Sequence, residues 1–238
     1  MSEAIIALVA FAAGAVRGLT GFGGPLILVP TMSFVYEPAS AVATVMLVDL
    51  ASNFALLRDA TKDANWRVVG LITAGAAVTL PVGGYLMLHA DPRIVRMVVY
   101  GTVAALSILL LSGWRYSGTY SRGSLLGAGA VNGVIVGATS FGAALYPFLL
   151  GNGDSARTGR ATFVLWALFC SVAALAVVFA GDRAGHAEFL RAAFLVPSYL
   201  LGTYAGKRFF HRVDDVVLKR IVLLTLVTVS IAGLVAVW

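Results

Sequence analysis

Charged residues punctuate the chain at intervals that leave long apolar stretches between them. Residues 68–88, 97–114, 161–181 and 221–238 contain no Asp, Glu, Lys or Arg, and residues 38–57 carry only Asp49. Residues 192–206, extended at their start by 189–191, form a further stretch. About 20 apolar residues cross a bilayer core of about 30 Å as a helix, so each stretch predicts one crossing. Two stretches are too long for that: 4–36, whose only charge is Arg17, and 123–153, which has none. As straight helices they would measure about 46–50 Å at about 1.5 Å per residue. Glycines interrupt both, and prolines follow: Pro25 and Pro30 in the first, Pro147 in the second. The pattern predicts helices that unwind inside the membrane and turn back, giving two embedded pieces from each long run.

The two long runs resemble each other. A shift of 119 residues lays Gly14-Ala-Val-Arg-Gly18-Leu-Thr20-Gly-Phe22-Gly23 on Gly133-Val-Ile-Val-Gly137-Ala-Thr139-Ser-Phe141-Gly142, with five of ten positions identical. Gly83 with Arg96 repeats as Gly206 with Lys219 at a shift of 123. The spacing predicts an internal duplication, with one repeat over 1–118 and the other over 119–238. Basic residues then choose the topology. Apart from Arg17 there are 16 Lys and Arg, and if each long run doubles back, 12 of them fall on one side and 4 on the other. Single crossings would divide them 9 to 7, which gives no orientation. The positive-inside bias therefore favours the doubled-back arrangement, with most Lys/Arg loops cytoplasmic and both termini outside. The expected fold is an all-α polytopic membrane protein of the cell inner membrane. It has two inverted repeats of about five membrane-embedded pieces each, with Gly-rich broken or re-entrant helices.

Composition narrows the function classes. The chain of 238 residues is 60% apolar and only 12% charged, with a mean hydropathy of +0.92. That excludes a soluble enzyme, a nucleic-acid reader and a disordered chain. The net charge of +6 is accounted for by the basic loops rather than by a nucleic-acid partner. Cys170 is the only cysteine, and His89, His186 and His211 lie near segment ends. No disulfide and no metal or other cofactor is expected. Met1-Ser2-Glu3 lacks the basic start of a cleavable signal peptide.

Broken helices in two inverted halves point to a transporter with its binding site near the midplane. Half-helix N-termini present backbone N–H groups and partial positive charge, which suits an anion. The expected substrate-binding set at the first break is Arg17, Gly18, Thr20, Gly21, Phe22, Gly23 and Gly24. At the second it is Asn132, Gly137, Thr139, Ser140, Phe141 and Gly142. Glycine allows close backbone approach, the Thr and Ser hydroxyls donate, and Phe22 and Phe141 form apolar walls. Close helix packing is the competing role for the glycines. Arg17 and Asp49 are ionisable groups inside membrane segments and so functional candidates. Asn53 follows Asp49 on the same helix face. Arg17 attracts the anion while Asp49 balances charge or takes a coupling proton; the alternative is a structural Arg17–Asp49 ion pair. Arg157 and Arg160 read first as topology determinants and second as anion collectors. Lys207, Arg208, Arg212, Lys219 and Arg220 read as a cytoplasmic anchor on anionic lipid, and Trp66, Trp114 and Trp238 as an interfacial belt.

The run from Gly14-Ala-Val-Arg-Gly18-Leu-Thr-Gly21-Phe-Gly23-Gly24 to Pro30 resembles the glycine-rich signature of the TauE/SafE sulfite exporter family, also called the toluene sulfonate uptake permease family. Asn65-Trp66-Arg67 is similar to its Asp-Trp-Arg element. Gly202-Thr-Tyr-Ala-Gly206-Lys-Arg, followed by Leu218-Lys219-Arg220, is similar to its C-terminal Gly-rich helix and basic pair. The resemblance covers nearly the whole chain. It implies an inner-membrane carrier for small anions such as sulfite or organosulfonates, sulfoacetate among them. Arg17 stands where the family usually has a small or apolar residue, and the second motif is poorer in glycine. The expected function is secondary transport of such an anion rather than catalysis, with lipid and the anion as partners and a homo-oligomer left open. The competing classes are an anion channel and, with less support, an integral-membrane enzyme. No Gly-x-x-x-x-Gly-Lys-Ser/Thr motif occurs for ATP coupling.

Overall fold

The apolar stretches fold as helices whose starts are written in short polar or proline signals. In order they are α1 (Glu3–Thr20), α2 (Gly24–Ser33), α3 (Pro38–Asp63), α4 (Trp66–His89), α5 (Pro92–Leu111), α6 (Arg122–Thr139), α7 (Leu145–Leu149), α8 (Ala156–Ala180) and α9 (His186–Phe209). The structure, a computed structural model, describes residues 3–114, 116–150, 155–180 and 185–209, together with 223, 224, 226–228, 230, 231, 234 and 235. Among these residues there is no strand. Arg115, Arg183, Arg212, Lys219, Arg220 and Trp238 lie outside them, and the expected crossing over 221–238 is described only in part. Prolines open α3 and α5, where a missing N–H costs nothing. The Asn65 side chain caps α4 by accepting from Val68 N–H at 3.3 Å, and Ser121 with Ser124 forms a capping box on α6.

Among the described residues, four helices are long and apolar enough to cross a membrane: Pro38–Asp63, Trp66–His89, Pro92–Leu111 and Arg157–Ala176. Polarity is distributed as it is in a protein solvated by lipid. Leu8, Val78, Phe169 and Leu201 are exposed on the outside, while Arg17, Asp49 and Asn53 are buried within. Both over-long runs are broken. The first becomes α1 and α2 around a turn at 21–23, with α2 folded back along α1. The second becomes α6 and α7 around 140–144. The return piece α7 is only 5 residues long, against 10 in α2. A five-residue turn precedes α7, so little chain is left for a helix before the polar segment that leads into α8.

The helices run in two opposed sets. Ser40, Asp49 and Asp59 along α3 meet Glu188, Tyr199 and Lys207 along α9, so these two helices are parallel. Gly14 and Gly18 of α1 meet Tyr199 and Thr203, which aligns α1 with them. Asp63 at the end of α3 pairs with Arg157 at the start of α8, so α8 runs the other way. It is accompanied by α4 and α6, which lie alongside each other from Gly75 with Leu126 to Gly83 with Val134.

Two helix pairs approach backbone to backbone. A Cβ at Gly14, Gly18 or Gly206 would lie 2.1 Å from the carbonyl oxygen of Tyr199, Thr203 or Ala15, respectively, across the α1–α9 seam. Across the α4–α6 seam, a Cβ at Gly133, Gly137 or Gly83 would lie 2.7, 2.3 or 2.2 Å from the carbonyl oxygen of Ala76, Leu80 or Val134. Shifts of 119 and 123 residues carry the first three contacts onto the second three. Small residues allow this approach, and in lipid such packing supplies much of the association energy. The helices can be taken as two groups, α1, α2, α3 and α9 built around the α1–α9 seam, and α4, α6, α7 and α8 built around the α4–α6 seam, joined by close packing of α3 on α8. The groups meet mainly along α3 and α8.

Candidate functional site

The same local chemistry ends α1 and α6. The Thr20 hydroxyl donates to the Val16 carbonyl at 2.8 Å and accepts from Phe22 N–H at 3.2 Å. The Thr139 hydroxyl donates to the Ile135 carbonyl at 2.6 Å and accepts from Phe141 N–H at 3.3 Å. A threonine that bonds both back into its helix and forward into the next turn stops the helix at a fixed residue. The chain then turns through left-handed backbone at Gly21 (φ 83°) and Gly23 (φ 95°) in the first break, and at Ser140 (φ 64°) in the second. Gly21 and Ser140 are equivalent under the 119-residue shift, but only glycine takes that conformation without steric cost.

Both breaks border one cavity. Phe22, Gly23, Pro25 and Leu26 come to it from the first, and Ser140, Phe141, Gly142 and Ala143 from the second. Met46 and Asp49 of α3 and Arg17 of α1 complete one wall. One face of α8 forms the other: Phe163, Trp166, Ala167, Cys170, Ser171 and Ala174, at the helical spacing of three and four. Aromatic rings close around it, with Phe22 4.3 Å from Tyr146 and 6.3 Å from Phe163 between ring centroids.

Arg17 and Asp49 are 2% and 5% exposed, so their charges are held within the protein. Arg17 Nε lies 3.3 Å from Asp49 Oδ1, and Arg17 Nη2 donates to Asn53 Oδ1. Asn53 Nδ2 in turn donates to Asp49 Oδ2 at 3.1 Å and reaches Ser171 Oγ at 3.5 Å. The Tyr199 hydroxyl donates to Asp49 Oδ1 at 3.3 Å. A buried ion pair needs such additional hydrogen bonds, because pairing alone does not repay desolvation. The guanidinium also stands 6.0 Å from the centroid of the Phe163 ring.

The other expected site residues lie around this centre. Gly24 gives room to the Tyr199 hydroxyl, which would be 1.8 Å from a Cβ there. Gly18 and Gly137 sit in the α1–α9 and α4–α6 seams, where their missing side chains admit backbone. Asn132 is buried on α6, donates to the Ala128 carbonyl at 2.9 Å and does not border the cavity; its Oδ1 has no partner among the described residues. Arg160 donates to the Gly18 carbonyl at 2.7 Å, which brings it to the first break, whereas Arg157 is exposed and pairs with Asp63. Trp66 and Trp114 are exposed at helix ends, as a belt requires. Sequence reasoning passed over Tyr199, Ser171, Phe163 and Trp166. The only signal available was the i, i+3, i+4 recurrence of Phe163, Trp166 and Ala167, which an apolar membrane helix also carries for packing.

A multi-pass helical bundle that encloses a paired charge and two helix breaks in its apolar depth has the build of a membrane transporter. The chain matches the family model for the sulfite exporter TauE/SafE over residues 6–233. It belongs to that family, a family of membrane transporters for sulfur anions. No curated protein and no solved structure matches it.

Proposed function

We propose that this chain is a secondary transporter for sulfite or a small organosulfonate such as sulfoacetate, held in the cavity between the two helix breaks. The observation that carries the reading is that residues of both breaks and Arg17 border the same cavity. Arg17 supplies the charge that attracts the anion. N–H groups in the first turn of α2 have no partner within their helix and add partial positive charge. Phe22 and Phe141 face the apolar part of the ligand, and Thr20 and Thr139 set where the helices stop. Asp49, tied to Arg17 directly and through Asn53, balances the site charge or takes up a coupling proton.

The repeat over 1–118 and that over 119–238 are read as inverted copies. The opposed directions of α1 and α6 and the matched seam contacts support this. The Lys/Arg-rich face is assigned to the cytoplasm and the protein to the inner membrane. Access alternates as the α1–α2–α3–α9 group moves against the other along α3 and α8. Arg17 and Asp49 are nearly unexposed, which supports a carrier over an open, water-filled pore.

The test is flux in proteoliposomes with labelled sulfite and sulfoacetate, together with ligand-dependent thermal stability. Saturable uptake that exchanges with internal substrate is expected, with Arg17→Gln abolishing it. Flux that never saturates would make the protein a channel, and stable, fully active Arg17→Gln would remove Arg17 from the site.

A further inference from the structure

Trp166 is fully buried (0% exposed) on α8 and lines the same cavity as Arg17. Its Nε1 is a buried donor with no hydrogen-bond partner among the described residues. Such a group is costly to leave unpaired, and buried tryptophan N–H groups normally have an acceptor. The indole N–H donates and cannot accept, so whatever completes it must carry a lone pair.

The position of the ring is fixed from two sides. The Phe163 ring neighbours both it and the arginine, with its centroid 5.7 Å from that of Trp166 and 6.0 Å from Arg17 Cζ. A Cβ at Gly142 would lie 2.7 Å from Trp166 Cζ3, so the second break is bare where the indole packs. The glycine-rich turn and the tryptophan therefore fit each other, and the residue that carries the unpaired donor is part of the wall of the space where an oxyanion is read to sit.

We propose that Trp166 is a direct ligand of the transported anion, donating its indole N–H to an anion oxygen while Arg17 supplies the charge. This rests on the anion reading given above. A neutral donor adds a directional bond without a second positive charge, so the Arg17–Asp49 balance is kept. It also gives α8 its own hold on the ligand, from the helix group opposite the one that carries Arg17.

The experiment titrates the purified full chain with sulfite, sulfoacetate and methanesulfonate. Trp166→Phe keeps an aromatic ring and removes the N–H. It should weaken binding of whichever anion the native protein takes by about tenfold or more, the loss expected for a hydrogen bond to a charged group. A second variant leaves Trp166 in place: Trp66→Phe, Trp114→Phe and Trp238→Phe together make its indole the only one, and its N–H nuclear resonance should move on saturation with the anion. Native-like affinity in Trp166→Phe, or an unmoved resonance in the single-tryptophan protein at saturation, overturns the proposal and leaves the anion site standing. If the native chain binds none of the three anions, the anion reading falls and the role of Trp166 falls with it.

Discussion

Arg160, in the first turns of α8, donates from Nη2 to the carbonyl of Gly18 in the last turn of α1 at 2.7 Å. A cation there opposes the partial negative charge of a helix C-terminus. The two helices belong to different groups of the bundle, so this bond ties the groups together on the side of the cavity that faces Arg157. Replacing Arg160 with Ala should loosen that closure. With Cys170→Ala as background, Ser140→Cys should react faster with an impermeant maleimide when Arg160→Ala is added, from the face that bears Arg157. Unchanged labelling would make Arg160 a static cap.

Arg17 and Asp49 are expected to be coupled in stability. Removing one member of a buried pair leaves the other uncompensated, at a cost of about 3–5 kcal/mol. Arg17→Gln and Asp49→Asn should each lower the melting temperature strongly, and the double variant should lose less than the sum of the two. Additive losses in this thermodynamic cycle would mean that the carboxylate is held mainly by Asn53 and Tyr199.

Backbone seams make opposite demands on different glycines. Gly206→Ala and Gly137→Ala place a methyl group 2.1–2.3 Å from a carbonyl oxygen of the facing helix. Neither neighbour is a side chain that can move aside, so each should cost at least the roughly 1–3 kcal/mol of an overpacked core. Gly70→Ala meets nothing within 4 Å and should be neutral or slightly stabilising through helix propensity. Thermal unfolding of the three variants in one detergent is the measurement, and equal stability of all three would deny the seams.

Ser140 is the only non-glycine residue in left-handed backbone among the described residues. Ser140→Gly should relieve up to about 1 kcal/mol of that strain, raising the melting temperature. Since Ser140 also borders the cavity, its flux should fall or stay level while stability rises.

How far the sequence led differs from element to element. The gaps between charges marked where helices run, because a lipid-facing helix cannot hide a charge cheaply. The glycine and threonine pairs at 18–23 and 137–142 marked both breaks, because the signals for stopping a helix are local. Arg17 and Asp49 were legible as charges inside apolar runs, with an ion pair between them as the alternative to a role in transport. The short α7 was not legible, since the turn at 140–144 draws on residues that would also suit a helix. Trp166 and Phe163 were not legible either. In an apolar helix the side that faces a cavity and the side that faces lipid use the same residues, and only packing partners far along the chain tell them apart. Arg160 read as a loop charge because nothing local announces that its side chain reaches the end of a helix 142 positions earlier.

The seam between α1 and α9 also has a bearing on biogenesis. The helix at residues 3–20 finds its glycine-matched mate only at 186–209, long after its own synthesis. Until then its bare stripe lies against lipid or the insertion machinery, and a nascent chain halted before residue 186 cannot close the fold. Assembly of this protein is therefore a late, ring-closing event, and early fragments should be prime substrates for membrane quality control.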